Sequence, residues 1–144
     1  MQSNLCKYHY ILLRYTQQYM KHDISIIINL IKHNKTIGSS KYFISNNTAL
    51  LSSINIYDNY KYKGYGNRLM YYAETFLMQN YNINRINTLA WQPSCSTDIV
   101  DFYTKNGFIT NPNSIIQTYD DSVTQFDLFH MHKILGIDNS SETM

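Results

Sequence analysis

The residues with the most chemical potential lie in one short run, Lys61-Tyr62-Lys63-Gly64-Tyr65-Gly66-Asn67-Arg68-Leu69. Gly64 and Gly66 lack Cβ atoms, so the backbone can take unusual dihedrals and expose its N–H groups, while Lys61 and Lys63 add positive charge. After the glycines, Leu69, Tyr72, Ala73, Phe76 and Leu77 fall at the i, i+3, i+4, i+7, i+8 spacing of an amphipathic helix, predicted over about 65–80. Before them, residues 50–57 are predicted as a largely buried strand. The glycines therefore sit at a strand-to-helix junction. The first N–H groups of a helix have no internal partner and the helix dipole adds about half a positive charge there. Such a junction offers the chemistry of a pyrophosphate cradle.

The two best-known phosphate loops do not fit. A P-loop needs Gly, four residues, then Gly-Lys-Ser/Thr, and a dinucleotide fingerprint needs a third Gly where Leu69 stands. The segment Lys61-x-x-Gly64-x-Gly66 resembles instead the acetyl-coenzyme A loop of the GNAT acetyltransferase superfamily, Arg/Gln-x-x-Gly-x-Gly/Ala, with Lys in the first place. A second run, Asp101-Phe102-Tyr103-Thr104-Lys105-Asn106-Gly107-Phe108, resembles the other signature of that family, a helix ending in Phe/Leu-Tyr-x-x-x-Gly-Phe. Two glycines alone also suit an ordinary strand-to-helix turn. Both motifs together, in the family's order and on the family's elements, carry the resemblance, which covers about residues 36–135.

The resemblance implies an α/β (α+β) fold over 1–144 as a single domain. Its mixed, mainly antiparallel sheet would have splayed fourth and fifth strands and flanking helices, with 136–144 as a flexible tail. It implies acetyl-coenzyme A as co-substrate and direct attack by the primary amine of a small molecule or peptide in a ternary complex. The cofactor-binding positions carried over are Lys61, Tyr62, Lys63, Gly64, Tyr65, Gly66 and Asn67 for the diphosphate. Backbone N–H groups of Ile54, Asn55 and Ile56 would hold the pantetheine arm and polarise the thioester carbonyl. Ser96 aligns with an Asn that often opens the second helix, and Tyr103 with the Tyr that protonates the departing sulfur. At i+4 from Ile99, Tyr103 equally suits a core position with its hydroxyl at the rim.

No base is evident. The fourth strand has no Glu, which leaves water or a loop carboxylate such as Asp58. His130 and His132 alternate on the last strand but lack a third ligand, so no metal is expected. Direct transfer needs no nucleophile from Cys95, and Asp120-Asp121 reads as a hairpin tip that could also attract a cationic amine.

The elements that must position these residues follow from pattern. Strands are predicted over 7–15, 25–33 and 36–45 ahead of 50–57, with a polar connection at 16–23 and turns at Asn34-Lys35 and Asn46-Asn47. A fifth strand at 85–91 lies parallel to the fourth, because a strand-helix-strand unit crosses over right-handed. Ser96 or Thr97 caps a second helix that Asn106-Gly107 ends, and a hairpin of 114–119 and 125–135 closes the chain. The family usually has two helices between its first two strands, and 16–23 leaves room for at most one short turn. The acceptor site is then unusually open, completed by a partner subunit, or absent. The surface left bare makes a homodimer an expectation.

Composition sets outer limits. The 144 residues suit one domain with its own core. A net charge of +2 with scattered lysines argues against nucleic acid and anionic membranes as partners. Two cysteines, a polar N-terminus and a longest apolar stretch of 24–31 point to a reducing, cytoplasmic setting. Two other functions remain open: a non-catalytic module of the same fold that binds acyl-coenzyme A or a protein, and a nucleotide-phosphate binder outside the family.

Overall fold

The structure, a computed structural model, describes residues 2–8, 11–19, 24–93, 96–112, 117–120 and 125–136. Its strands are β1 (Gln2–Tyr8), β2 (Ile11–Tyr19), β3 (Ile24–Lys32), β4 (Lys35–Ser45), β5 (Thr48–Ile56), β6 (Arg85–Pro93), β7 (Ile109–Thr110), β8 (Gln117–Asp120) and β9 (Gln125–Ile134). Helix α1 (Tyr65–Tyr81) joins β5 to β6, and α2 (Asp98–Lys105) follows β6. All nine strands form one sheet in the order β1-β2-β3-β4-β5-β6-β9-β7, with β8 also on β9. Only β5 and β6 pair in parallel, so the mixed, mainly antiparallel α/β architecture is present and the right-handed crossover through α1 sets its one parallel step.

The N-terminal strands differ from the sequence pattern. The predicted strand 7–15 is two strands, β1 and β2, paired antiparallel with Tyr8 opposite Ile11. No Gly, Pro, Asn or Asp marks that reversal, so the pattern runs straight through it. Thr16 to Tyr19, expected in a polar connection, continue β2 and pair with Ile27 to Ile24 of β3. Backbone ladders do not require apolar side chains, and only residues 20–23 separate β2 from β3. The predicted fourth and fifth strands are thus β5 and β6. The first tight turn falls at His33-Asn34, both at positive φ, one residue before the predicted Asn34-Lys35. The final hairpin is β8 with β9, and most of the expected tail, 137–144, lies outside the described residues, as does Asp121.

One face of the sheet carries both helices. Leu13, Ile26, Ile28, Leu30, Tyr42, Ile44, Ala49, Leu51, Ile86 and Ala90 alternate along five strands and meet Leu69, Met70, Ala73, Phe76 and Leu77 of α1. Period-two burial on the strands against a 3.6-residue stripe on the helix is what fixes the register of each strand. No described helix packs on the opposite face.

A bulge shapes the sheet centre. Lys41 pairs with Ser53 and Tyr42 with Leu51, which leaves Ser52 without a partner. Burial alternates on Ala49 and Leu51 before the bulge and passes to Ile54 and Ile56 after it. Pairing between β5 and β6 stops at the same point, with Leu51 opposite Thr88 as the last pair. Beyond it the two strands diverge, as the resemblance implied.

Candidate functional site

The divergence opens a cleft of about 410 Å³ between residues 52–56 of β5 and Leu89 and Trp91 of β6, closed on the helix side by Ile99, Phe102 and Tyr103. Backbone groups that β5 turns toward β6 have no strand partner along this stretch. A second recess, about 540 Å³, continues from it around the N-terminus of α1 and shares Ile56, Lys61, Gly66, Ile99 and Phe102 with the first. Together they make one groove that fits an elongated molecule with an anionic end at α1.

At that end Gly64 occupies the N-cap of α1 with φ +84, and a Cβ placed on it would meet nothing within 4 Å. The open space and the free amides of the first turn are what a phosphate group needs. A Cβ on Gly66 would come within 3.1 Å of the Phe102 ring, so the absence of a side chain there lets α1 and α2 approach. Tyr62 is at positive φ and fully exposed, and it lines the recess with Lys61 and Asn67. Lys61 also pairs with Asp58 at 3.0 Å. Tyr65 is buried with its hydroxyl on Lys32 Nζ, so only its backbone faces the recess. Lys63 is exposed nearby and lines neither recess.

The opposite wall carries Asp98 and Asp101. Hydrogen bonds from Ser96, then Gln92, hold the Asp98 carboxyl below its ordinary range. Ser96 lines neither recess, because its hydroxyl is turned to Asp98. Thr97 stands at the N-cap of α2, but its hydroxyl donates to Asp101 Oδ2 at 2.9 Å and caps no amide. Ser96 and Gln92 share that work: Ser96 Oγ accepts from Asp98 N at 3.3 Å, and Gln92 Oε1 accepts from Val100 N at 2.9 Å while its Nε2 donates to Asp98 Oδ1 at 3.2 Å. Gln92 was not singled out from sequence; only an outlying polar residue at the buried phase of a strand hinted at it.

Tyr103 lies at the fork where β5 and β6 part. It is buried between the rings of Phe102 and Phe108, with centroids at 5.5 and 5.4 Å, and it lines the cleft. Burial raises its phenol above the ordinary value of 10.0, against a smaller opposing effect from a hydrogen bond with Thr88. Thr88 Oγ1 itself donates to Leu51 O at 2.9 Å, so the hydroxyl chain is anchored to the last paired residue of the fork. Thr88 is a second residue that the sequence did not mark.

Among the described residues no carboxylate or imidazole lines the cleft. His132 is hydrogen-bonded to Asn111 and its ring is held below the usual histidine value by burial and by Arg85, and His130 is exposed on the same side of β9. Among the described residues no three His, Cys, Asp or Glu side chains converge as metal ligands. Cys95 lies outside the described residues. A larger recess of about 680 Å³ lies beside Tyr71, Glu74 and Lys133 and shares Lys105 with the second recess.

The sequence profile of the Acetyltransferase (GNAT) family matches residues 4–108. No curated protein matches the chain. Among solved structures, the ribosomal-protein-S18-alanine N-acetyltransferase from Escherichia coli is similar at a TM-score of 0.67 and 14% identity, over 84% of this chain and 74% of that one. A spermidine N-acetyltransferase chimera from Vibrio cholerae is similar at 0.63 and 16% identity, over 76% of this chain and 66% of the other, just under two thirds of its length. A GNAT family acetyltransferase from Elizabethkingia anophelis with acetyl-CoA bound is similar at 0.61 and 15% identity, over 77% of this chain and 76% of that one. At these identities the likeness is one of fold, and the family itself is fixed by the profile that spans most of the sequence. The chain belongs to the acetyltransferase (GNAT) family.

Proposed function

We propose that residues 1–144 act as one N-acetyltransferase domain that moves an acetyl group from acetyl-coenzyme A to a primary amine by direct attack in a ternary complex. The observation that carries this is the continuous groove from the Gly64 N-cap to Tyr103 at the fork of β5 and β6. When bound, acetyl-coenzyme A supplies the acyl group as a thioester. The amides behind Gly64 and Gly66, with Lys61 and Lys63, receive the diphosphate. The N–H groups that residues 54–56 turn toward β6 hold the pantetheine arm and stabilise the developing oxyanion, a role worth about 3–4 kcal/mol per donor where measured in other enzymes. Tyr103 gives its proton to the departing sulfur, and the amine loses its own to water, since no described carboxylate or imidazole lines the cleft. The cytoplasmic setting expected from sequence is part of this proposal; no described helix is long and apolar enough to cross a membrane.

Thermal denaturation tests the cofactor. Acetyl-coenzyme A or coenzyme A at a hundred times its dissociation constant adds about 2.7 kcal/mol, about 5–10 °C in Tm for a domain near this size. ATP should give no shift, and a shift with ATP alone would assign a nucleotide binder. The Tyr103→Phe variant then separates enzyme from binding module. An acyltransferase loses about 10²-fold in kcat while the acetyl-coenzyme A shift is retained. A module of the same fold releases no thiol with any amine before or after the change.

A further inference from the structure

The cleft has a second mouth, on the sheet face that no described helix covers. Leu89 and Trp91 line the cleft at that face and are 40% and 50% exposed, and Leu50, 43% exposed, shares it by register. Ser53 shares this face with its partner Lys41, whose Nζ lies 5.0 Å from the centroid of the Phe43 ring. His130, opposite Leu89, stands on the same side. Arg14 and Arg85 lie further out on it by register. None of the described strand residues turned to this face is acidic: Asp127 pairs with Gln92 on the helix side, and Asp98 and Asp101 belong to α2.

With acetyl-coenzyme A along the groove on the helix side, as proposed above, this second mouth is the side left for the attacking amine. Lys41, beside the cleft-lining Ser53, with Arg14 and Arg85 further out on the same face, repels a polyamine and attracts an anion, and the exposed Leu89 and Trp91 favour apolar contact beside the charge. Past Thr88 no described strand pairs with β6 on the cleft side, and an extended chain would lie along it there. Resting on the acyl-transfer reading above, we infer that the acceptor is the free amino terminus of a peptide or protein chain whose following residues combine carboxylates with an apolar side chain. Polycationic amines are poor acceptors for this chain.

Trp91 is the only tryptophan, so acceptor binding can be read from its emission without turnover. The test compares a hexapeptide with a free amino terminus, two carboxylates and one phenylalanine, the same peptide with lysines in place of the carboxylates, and spermidine. Trp91 emission and thiol release are followed in wild type and in Lys41→Glu. The acidic peptide should bind about tenfold or more tightly than the other two at low salt, with the gap closing as salt is raised. Lys41→Glu should weaken acidic-peptide binding about tenfold and leave the acetyl-coenzyme A thermal shift unchanged. Spermidine or the lysine peptide binding as well as the acidic peptide, or a Lys41→Glu variant with the wild-type order, overturns the inference. Should the acidic peptide perturb Trp91 selectively while no thiol is released, the preference of this face for an acidic chain stands as binding, and the acyl-transfer reading falls.

Discussion

At the scale of single residues, Gly64 and Tyr103 carry different kinds of prediction. Gly64 sits at φ +84 with open space where a side chain would project. Gly64→Ala should cost about 1–2 kcal/mol through left-handed strain alone. Its Cβ should also enter the room proposed for the diphosphate, so the acetyl-coenzyme A thermal shift should fall well beyond the loss in the free protein. If the variant binds acetyl-coenzyme A like wild type, the diphosphate lies elsewhere. Tyr103 has its phenol raised by burial, so the group stays protonated as pH rises through its ordinary value of 10.0. The expected kcat profile therefore places any alkaline fall due to this acid above the ordinary phenol value of 10.0.

At the scale of elements, α1 is tied to β9 by a buried ion pair. Lys133 Nζ donates to Glu74 Oε1 and to Asn106 O, each at 2.7 Å, so one ammonium joins α1, β9 and the end of α2. The Glu74 side chain is only 6% exposed, its Oε2 has no hydrogen-bond partner, and burial raises its carboxyl above 4.5 although Lys133 lowers it. Lys133→Ala should cost about 3–5 kcal/mol at neutral pH by leaving the carboxylate uncompensated. The sign of the pH dependence follows from the raised value. Between 4.5 and the folded-state value the folded protein binds the extra proton, so this group favours folding more as pH falls and less as it rises. Removing Lys133 raises the carboxyl further, and the deficit of the variant should narrow as pH is lowered toward about 5. Urea midpoints of both proteins at two pH values decide it, and a gap that widens on acidification would contradict this account.

At the scale of the whole molecule, the nine described strands carry both described helices on one face, and the other face, which no described helix covers, bears leucines, a tryptophan and cations. Like charge opposes stacking of that face on its own copy. The homodimer expected from sequence would therefore form at an edge, and β1 pairs only with β2 among the described residues, which leaves its other side for a second chain. Sedimentation should give a dimer that Lys41→Glu does not disturb; dissociation by that variant would move the contact to the helix-free face.

The glycine loop, the Phe-Tyr-x-x-x-Gly-Phe helix end, the order of elements from β4 onward and the stripe of α1 were all legible in the sequence, because each rests on short-range spacing. Residues 3.6 or 2 apart report their element wherever the chain later goes. The antiparallel split into β1 and β2 and the continuation of β2 through Thr16 to Tyr19 were not, since strand pairing satisfies backbone groups whatever the side chains. Nor did the spacing mark Gln92 as a cap of α2 or Thr88 beside Tyr103, which act across elements brought together only by the fold. The bulge at Ser52, the parting of β5 from β6 and the cationic mouth of the cleft were decided by tertiary structure, because each depends on which strands lie side by side and on which face a residue emerges after the register shifts.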